Sequence, residues 1–173
     1  MNPLVIEQAI DHIIEQEGGF TDHPHDRGGP TKYGITIPTL GKWLGRGATY
    51  EDIRELSKEA AITIYDNFLL KSEYIKLSDP WTFIYIADMA VLHKPKTLAK
   101  IVQKAASPLL KVDGLFGDQT VGIVNKLSLT EGTHHDWQTK LRRERVYYYA
   151  RRVRDKPTQS AFVLGWIKRS YAL

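Results

Sequence analysis

The 173 residues contain no cysteine, which removes disulfides, thiolate nucleophiles, cysteine zinc sites and iron–sulfur clusters from consideration. Long hydrophobic runs are missing as well. Glu7, Asp11 and Glu15 interrupt the stretch from Met1 to Gln16, so neither a signal-peptide core nor a membrane span is expected there. Histidine is sparse and badly spaced for a metal. Pro24 separates His23 from His25 and Asp26, His134 and His135 are adjacent, and His12 and His93 stand alone, so no metal and no cofactor is expected. Internal repeats, low-complexity segments and a clear interdomain linker are also lacking.

What is present is an ordinary globular composition with a basic bias. A mass of 19.8 kDa suits one domain, or one domain with a small appended lobe. The net charge of +4 and pI near 9.2 point to an anionic partner. Acidic residues concentrate before Lys94, whereas Arg142, Arg143, Arg145, Arg151, Arg152, Arg154, Lys156 and Lys168 face only Glu144 and Asp155 between Lys140 and Arg169. The C-terminal end is therefore expected to be a basic surface. With Tyr147, Tyr148 and Tyr149 interleaved, it has features of a nucleic-acid helix, of a basic helix packing its apolar face in the core, and of a surface drawn to an anionic bacterial envelope.

Spacing predicts mostly helices. Val5, Ile6, Ala9, Ile10, Ile13 and Ile14 form one amphipathic stripe that Gly18-Gly19 stops. From Phe20 to Gly47 the chain is rich in Gly, Pro and Thr and is expected to be loop, with a small hairpin over Lys32 to Ile37. Thr49 with Asp52 announces one long helix through Ile53, Leu56, Ala60, Ile64 and Phe68. Asp79-Pro80 opens another, Lys96 to Ala106 a fourth, and Gln119 to Leu127 a fifth after a glycine-punctuated turn. His135 to Arg154 is predicted to bury Trp137, Leu141 and Tyr148, and a last helix starts at Thr158 as N-cap and runs through Phe162, Trp166 and Ile167.

The chemistry-bearing feature is a pair of carboxylates. Glu17 continues the face of Ile10, Ile13 and Ile14, where partial desolvation and the negative end of the helix dipole disfavour its charged form, as suits a general acid. Asp26 follows in a polar loop where it should stay ionised. Two carboxylates in contrasting environments are what glycoside hydrolysis uses. A solvated or ion-paired helix-end Glu is the competing explanation.

The surrounding residues decide the matter. Glu17-Gly18-Gly19-Phe20 and Asp26-Arg27-Gly28-Gly29-Pro30-Thr31-Lys32-Tyr33-Gly34-Ile35-Thr36 resemble the signature of glycosyl hydrolase family 108, the phage and prophage N-acetylmuramidases. The Glu17, Asp26, Thr31 spacing is similar to the Glu, Asp, Thr arrangement of phage lysozymes, with Thr31 one residue short of that pattern. Asp88 to Val91, Gln103, Asp113-Gly114-Leu115-Phe116-Gly117-Asp118-Gln119-Thr120 and Gly165 to Arg169 are similar to the peptidoglycan-binding region of these enzymes. One departure is Val91-Leu92-His93-Lys94, where the family often has Val-Asn-x-Gly.

The resemblance implies an all-α, lysozyme-like fold with a minor β-hairpin lobe. It places a catalytic region at residues 1–92 and a helical peptidoglycan-binding region at 93–173 within the same globular body. It implies an endolysin that hydrolyses the β-1,4 bond between N-acetylmuramic acid and N-acetylglucosamine. Glu17, Asp26 and Thr31 are the expected catalytic set, with Tyr33 and Thr36 as the alternatives for the third polar group and Asp26 positioning water for inversion. Tyr33, Thr36, Gly28 and Gly29 are expected beside the substrate, Tyr33 either stacking on a sugar or packing the hairpin. Gly28, Gly29 and Gly34 would allow positive φ and close approach to the glycan, while Arg27 and Lys32 would attract stem carboxylates or remain solvated. Peptidoglycan strands are the expected partner of a monomeric protein, with access to the wall from the host cytoplasm dependent on a holin. An anionic outer-membrane surface is a further expected partner, and nucleic acid is not. A lytic transglycosylase and a non-catalytic binding module are the competing functions.

Overall fold

The computed structural model of the chain describes residues 1–22 and 29–173. Backbone contacts divide it into two compact units, residues 2–72 and residues 73–173 together with Met1. Among the described residues no helix is long and apolar enough to cross a membrane.

The first unit begins with α1 (Pro3–Glu17), whose Asn2 side chain accepts from the Leu4 amide and whose buried stripe is Ile6, Ala9, Ile10, Ile13 and Ile14. Each fully buried isoleucine contributes roughly 1.5–3 kcal/mol of transfer free energy. That stripe packs on α4 (Lys58–Leu70) through Ala61, Ile64 and Tyr65. Between them, β1 (Phe20–Thr21), β2 (Thr31–Lys32) and β3 (Ile35–Thr36) make a small antiparallel sheet in the order β1-β2-β3.

Two sequence expectations fail here for local reasons. A helix, α2 (Ile37–Leu44), occupies what was expected to be loop. Its signals are Thr36 as N-cap, Pro38 in the first turn and Gly45 at φ 68° as the left-handed stop. The single long helix expected from Thr49 is instead α3 (Tyr50–Arg54) and α4. The capping box at Thr49 and Asp52 forms, but the chain breaks after Arg54, and Ser57 caps a new helix by accepting from the Ala60 amide. The apolar period runs straight across the break, because Leu56 is buried in the linker itself.

The second unit holds a short 3-10 turn at Glu73–Lys76, then α5 (Pro80–Leu92), α6 (Pro95–Ala105), α7 (Asp118–Leu129), α8 (His134–Asp155) and α9 (Ser160–Ser170). Asp79 caps α5 through the Thr82 amide, as expected. The predicted Thr158 cap does not form: residues 157–159 make a 3-10 turn and α9 starts at Ser160 without a side-chain cap. In α8 the buried positions are Trp137, Leu141, Arg145 and Tyr149, so Tyr149, not Tyr148, lies in the core.

Arg145 and Arg169 turn inward from the basic surface expected at the C-terminal end. Arg145, fully buried, donates to Asp88 Oδ2 at 2.7 Å, and Arg169 donates through Nε to Oδ1 at 2.8 Å. The Arg145 guanidinium also lies over the Tyr85 ring, 5.1 Å from its centroid, and donates to the Tyr149 hydroxyl. Burial alone would push the Asp88 carboxyl up, but the two guanidinium groups outweigh it and hold it below the usual carboxylate range.

His93 sits 7% exposed against the rings of Tyr148 and Tyr149. Its Nδ1–H donates to the Met89 carbonyl at 2.8 Å, and Nε2 has no hydrogen-bond partner among the described residues. Burial, followed by the nearby Arg145 and Arg152 charges, pushes the imidazole down to about 4 from an ordinary 6.5. Unfolding therefore takes up a proton between these two values. His93 supports the fold fully above about pH 6.5 and loses about 3 kcal/mol of that support as pH falls to 4. Equilibrium unfolding at pH 7, 5.5 and 4 should show this loss in the wild type and a flatter profile in His93→Phe, which keeps a ring in place. An equal slope in both would remove the assignment.

Candidate active site

α1 ends on Glu17, whose side chain is only half exposed because it follows Ile13 and Ile14 on the buried face. Gly18, at φ 70°, closes the helix with its amide on the Ile14 carbonyl and turns the chain into β1. The β2–β3 hairpin is closed by Tyr33 and Gly34, at φ 53° and 73°, between the paired Lys32 and Ile35. Two-residue hairpins of the type I′ kind need both central residues at positive φ. Tyrosine resists that conformation. Its carbonyl is pinned by the Tyr65 hydroxyl, which donates to it at 2.7 Å from α4.

Gly34 is packed directly on Glu17. A β-carbon added there would lie 2.6 Å from Glu17 Cγ and 2.7 Å from both Cδ and Oε2. The missing side chain thus makes room for the carboxyl group, where the sequence suggested room for the glycan. No signal in the sequence marks this contact.

Pairing lines up Thr21, Thr31 and Thr36 across the three strands. Directly opposed residues share a sheet face, so these hydroxyl side chains form one row, on the face opposite Phe20, Lys32 and the buried Ile35. Thr36 is also engaged locally: its Oγ1 accepts from the Thr39 amide at 3.3 Å and lies 3.0 Å from the Thr39 hydroxyl. Thr31 carries no such capping duty. Lys32 is not simply solvated, since its Nζ donates to the Arg54 carbonyl at 2.8 Å and lies 5.7 Å from the centre of the Tyr33 ring.

Gly29 takes φ 73° with open space around the position of a β-carbon. Asp26 and Gly28, with His23, His25 and Arg27, lie outside the described residues. A further carboxylate, Asp22, was overlooked in the sequence. The Tyr50 hydroxyl is pushed up by desolvation and by its hydrogen bond to Asp22, and the Phe20 ring meets Tyr50 edge-on at 5.9 Å. Among the described residues no group of three His, Asp or Glu side chains could hold a metal ion.

In the second unit, the glycine-punctuated turn is organised by Gln103, 1% exposed. Its Nε2 donates to Asp113 Oδ1 at 2.8 Å and to the Leu115 carbonyl at 3.0 Å, while its Oε1 accepts from the Gly114 amide at 2.9 Å. Gly114, at φ 84°, lies against Lys96 on α6. Leu115 is left 72% exposed at the tip. A loop fixed this way by one buried amide is rigid enough to present a surface.

Residues 10–93 match the family Glycosyl hydrolase 108 and residues 97–171 match the family described as Predicted Peptidoglycan domain. The structure of Brucella abortus SagA is similar over 98% of this chain and 91% of that one, at 27% identity and a TM-score of 0.78. No curated protein matches the chain. The mostly helical, lysozyme-like fold with its small sheet is thus shared with a solved structure at detectable identity. Residues 10–93 thus form a glycosyl hydrolase 108 region, followed by a peptidoglycan domain over residues 97–171, and together they make the chain a peptidoglycan-degrading glycoside hydrolase.

Proposed function

We propose that the protein is an endolysin-type N-acetylmuramidase that hydrolyses the β-1,4 bond between N-acetylmuramic acid and N-acetylglucosamine. The observation that carries this reading is the seating of the Glu17 carboxyl at the end of α1 against Gly34, half-buried beside the hairpin. Glu17 protonates the leaving glycosidic oxygen. Asp26, from the opposite side of the sugar ring, activates water, and Thr31 from the threonine row orients it. Tyr33, Thr36, Gly28 and Gly29 border the glycan. In this reading the protein reaches the wall from the cytoplasm of its host once a holin has breached the membrane.

Clearing of outer-membrane-permeabilised Gram-negative cells tests the assignment. Wild type is expected to clear them, with Glu17→Gln and Glu17→Ala slower by about 10²–10⁴-fold, the usual worth of a positioned general acid. Equal clearing by all three sinks the role of Glu17. Mass spectrometry of the digested wall separates the chemistries: reducing muramic acid ends are expected, and anhydromuramyl ends would instead mark a lytic transglycosylase.

A further inference from the structure

At the C-terminal end of α8, Tyr148, Arg151, Arg152, Asp155 and Lys156 line an open cleft of about 400 Å³. We propose that this cleft is the site where the peptidoglycan-domain region takes a free carboxylate of a peptide stem. The inference rests on peptidoglycan being the substrate and adds to it where, and by which group, the polymer is held.

Charge balance is the first ground. The cleft's one acidic residue, Asp155, is already paired with Arg154, whose Nε lies 2.9 Å from Oδ1. Arg151 and Lys156 have no carboxylate partner among the described residues, so the cleft carries unopposed positive charge. The second ground is that Arg152 is held in place by neutral groups. It donates through Nε to Gln159 Oε1 at 3.2 Å and through Nη1 to the Tyr148 hydroxyl at 3.3 Å, and its guanidinium lies 5.5 Å from the centre of the Trp166 ring. These contacts fix the planar cation without neutralising it, which lowers the ordering cost of a bidentate bond to a carboxylate. The third ground is composition. Tyr148 lines the cleft beside the cations, so an apolar stretch of a stem can lie on its ring while its carboxylate meets Arg151, Arg152 and Lys156.

Binding is measured by co-sedimentation at low salt, with the full chain carrying Glu17→Gln so that the wall stays intact. In that background Arg151→Gln/Lys156→Gln removes two cations that form no hydrogen bond or ion pair among the described residues, while circular dichroism and melting confirm the fold. The pair is expected to bind intact sacculi about tenfold more weakly than its parent, a difference that shrinks as salt screens the charges. Lys42→Gln/Lys58→Gln, which removes the same charge from the other unit, is expected to bind like the parent. On glycan strands stripped of their stems by an amidase, parent and Arg151→Gln/Lys156→Gln should bind alike. Unchanged affinity for intact sacculi overturns the proposal. So does an equal loss on stem-free strands, and so does a loss seen only on anionic phospholipid vesicles, which would assign the cleft to a lipid surface. Cleavage of stem-free strands by the wild-type chain reads the Glu17 site separately, so failure of the hydrolase reading shows there without disturbing the binding comparison.

Discussion

Gly34→Ala is expected to lose about a hundredfold or more of wall-clearing activity while the protein stays folded. The new methyl group would fall 2.6–2.7 Å from three atoms of the Glu17 side chain, closer than nonbonded atoms settle. What must yield is the flexible end of a glutamate, not backbone, so the fold survives and the carboxyl moves. A displacement of about 1 Å in a catalytic group costs on the order of 10²-fold in rate. Alanine at φ 73° also adds roughly 1–2 kcal/mol of backbone strain, which must be separated from the displacement.

Gly45→Ala makes that separation. Gly45 has a similar φ of 68°, closes α2 and has nothing within 4 Å of an added β-carbon. Both substitutions should lower stability in denaturant titration by a similar small amount, yet only Gly34→Ala should lose activity. Equal activity in the two variants would mean that the Glu17 carboxyl tolerates displacement, and the catalytic geometry would have to be sought elsewhere. Specific rates on purified sacculi, corrected for folded fraction, decide between the outcomes.

Most helices were legible because their signals are local. The stripe Ile6, Ala9, Ile10, Ile13 with Gly18 after it, and Asp79-Pro80 before α5, carry period and caps within a few residues of each other. The break between α3 and α4 was hidden because Leu56 keeps the apolar period while Ser57 restarts the helix, and a cap inside a periodic segment competes with the period. For the site, the motif located Glu17 and the hairpin, but the contact between Glu17 and Gly34 joins residues on separate elements. Arg145 illustrates the same limit. It occupies the third position of the stripe Trp137, Leu141, Arg145, Tyr149, where residue type alone argues for solvent. Its partner, Asp88, is on another helix.

That buried pairing sets the second large effect. Asp88→Asn is expected to destabilise the 73–173 unit by about 3–5 kcal/mol, because it leaves Arg145 as a fully buried charge without its counter-ion. Arg145→Met should also destabilise the unit, because it takes from the buried Asp88 carboxylate the fully buried guanidinium and leaves the Arg169 pair at the 11%-exposed edge. Arg169→Met should cost less, since the Arg145–Asp88 pair survives and the edge is open to water. Replacing the group together, Asp88→Leu/Arg145→Met/Arg169→Met, should recover much of the loss, because hydrophobic side chains of similar volume often match a buried ion group in stability. Trp81, Trp137 and Trp166 all lie in this unit, so tryptophan fluorescence in a denaturant series follows its unfolding. Asp88 adds an acid limb below that of His93: its folded value is depressed, so its support is complete above the unfolded value near 4 and is lost as pH falls through the folded one. Asp88→Asn should therefore melt at a lower denaturant concentration at pH 7 but lose little further stability below pH 4. If Asp88→Asn and Arg169→Met are equally mild, the charges are solvated in a way their burial contradicts, and Asp88 is not the counter-ion that permits Arg145 to lie inside.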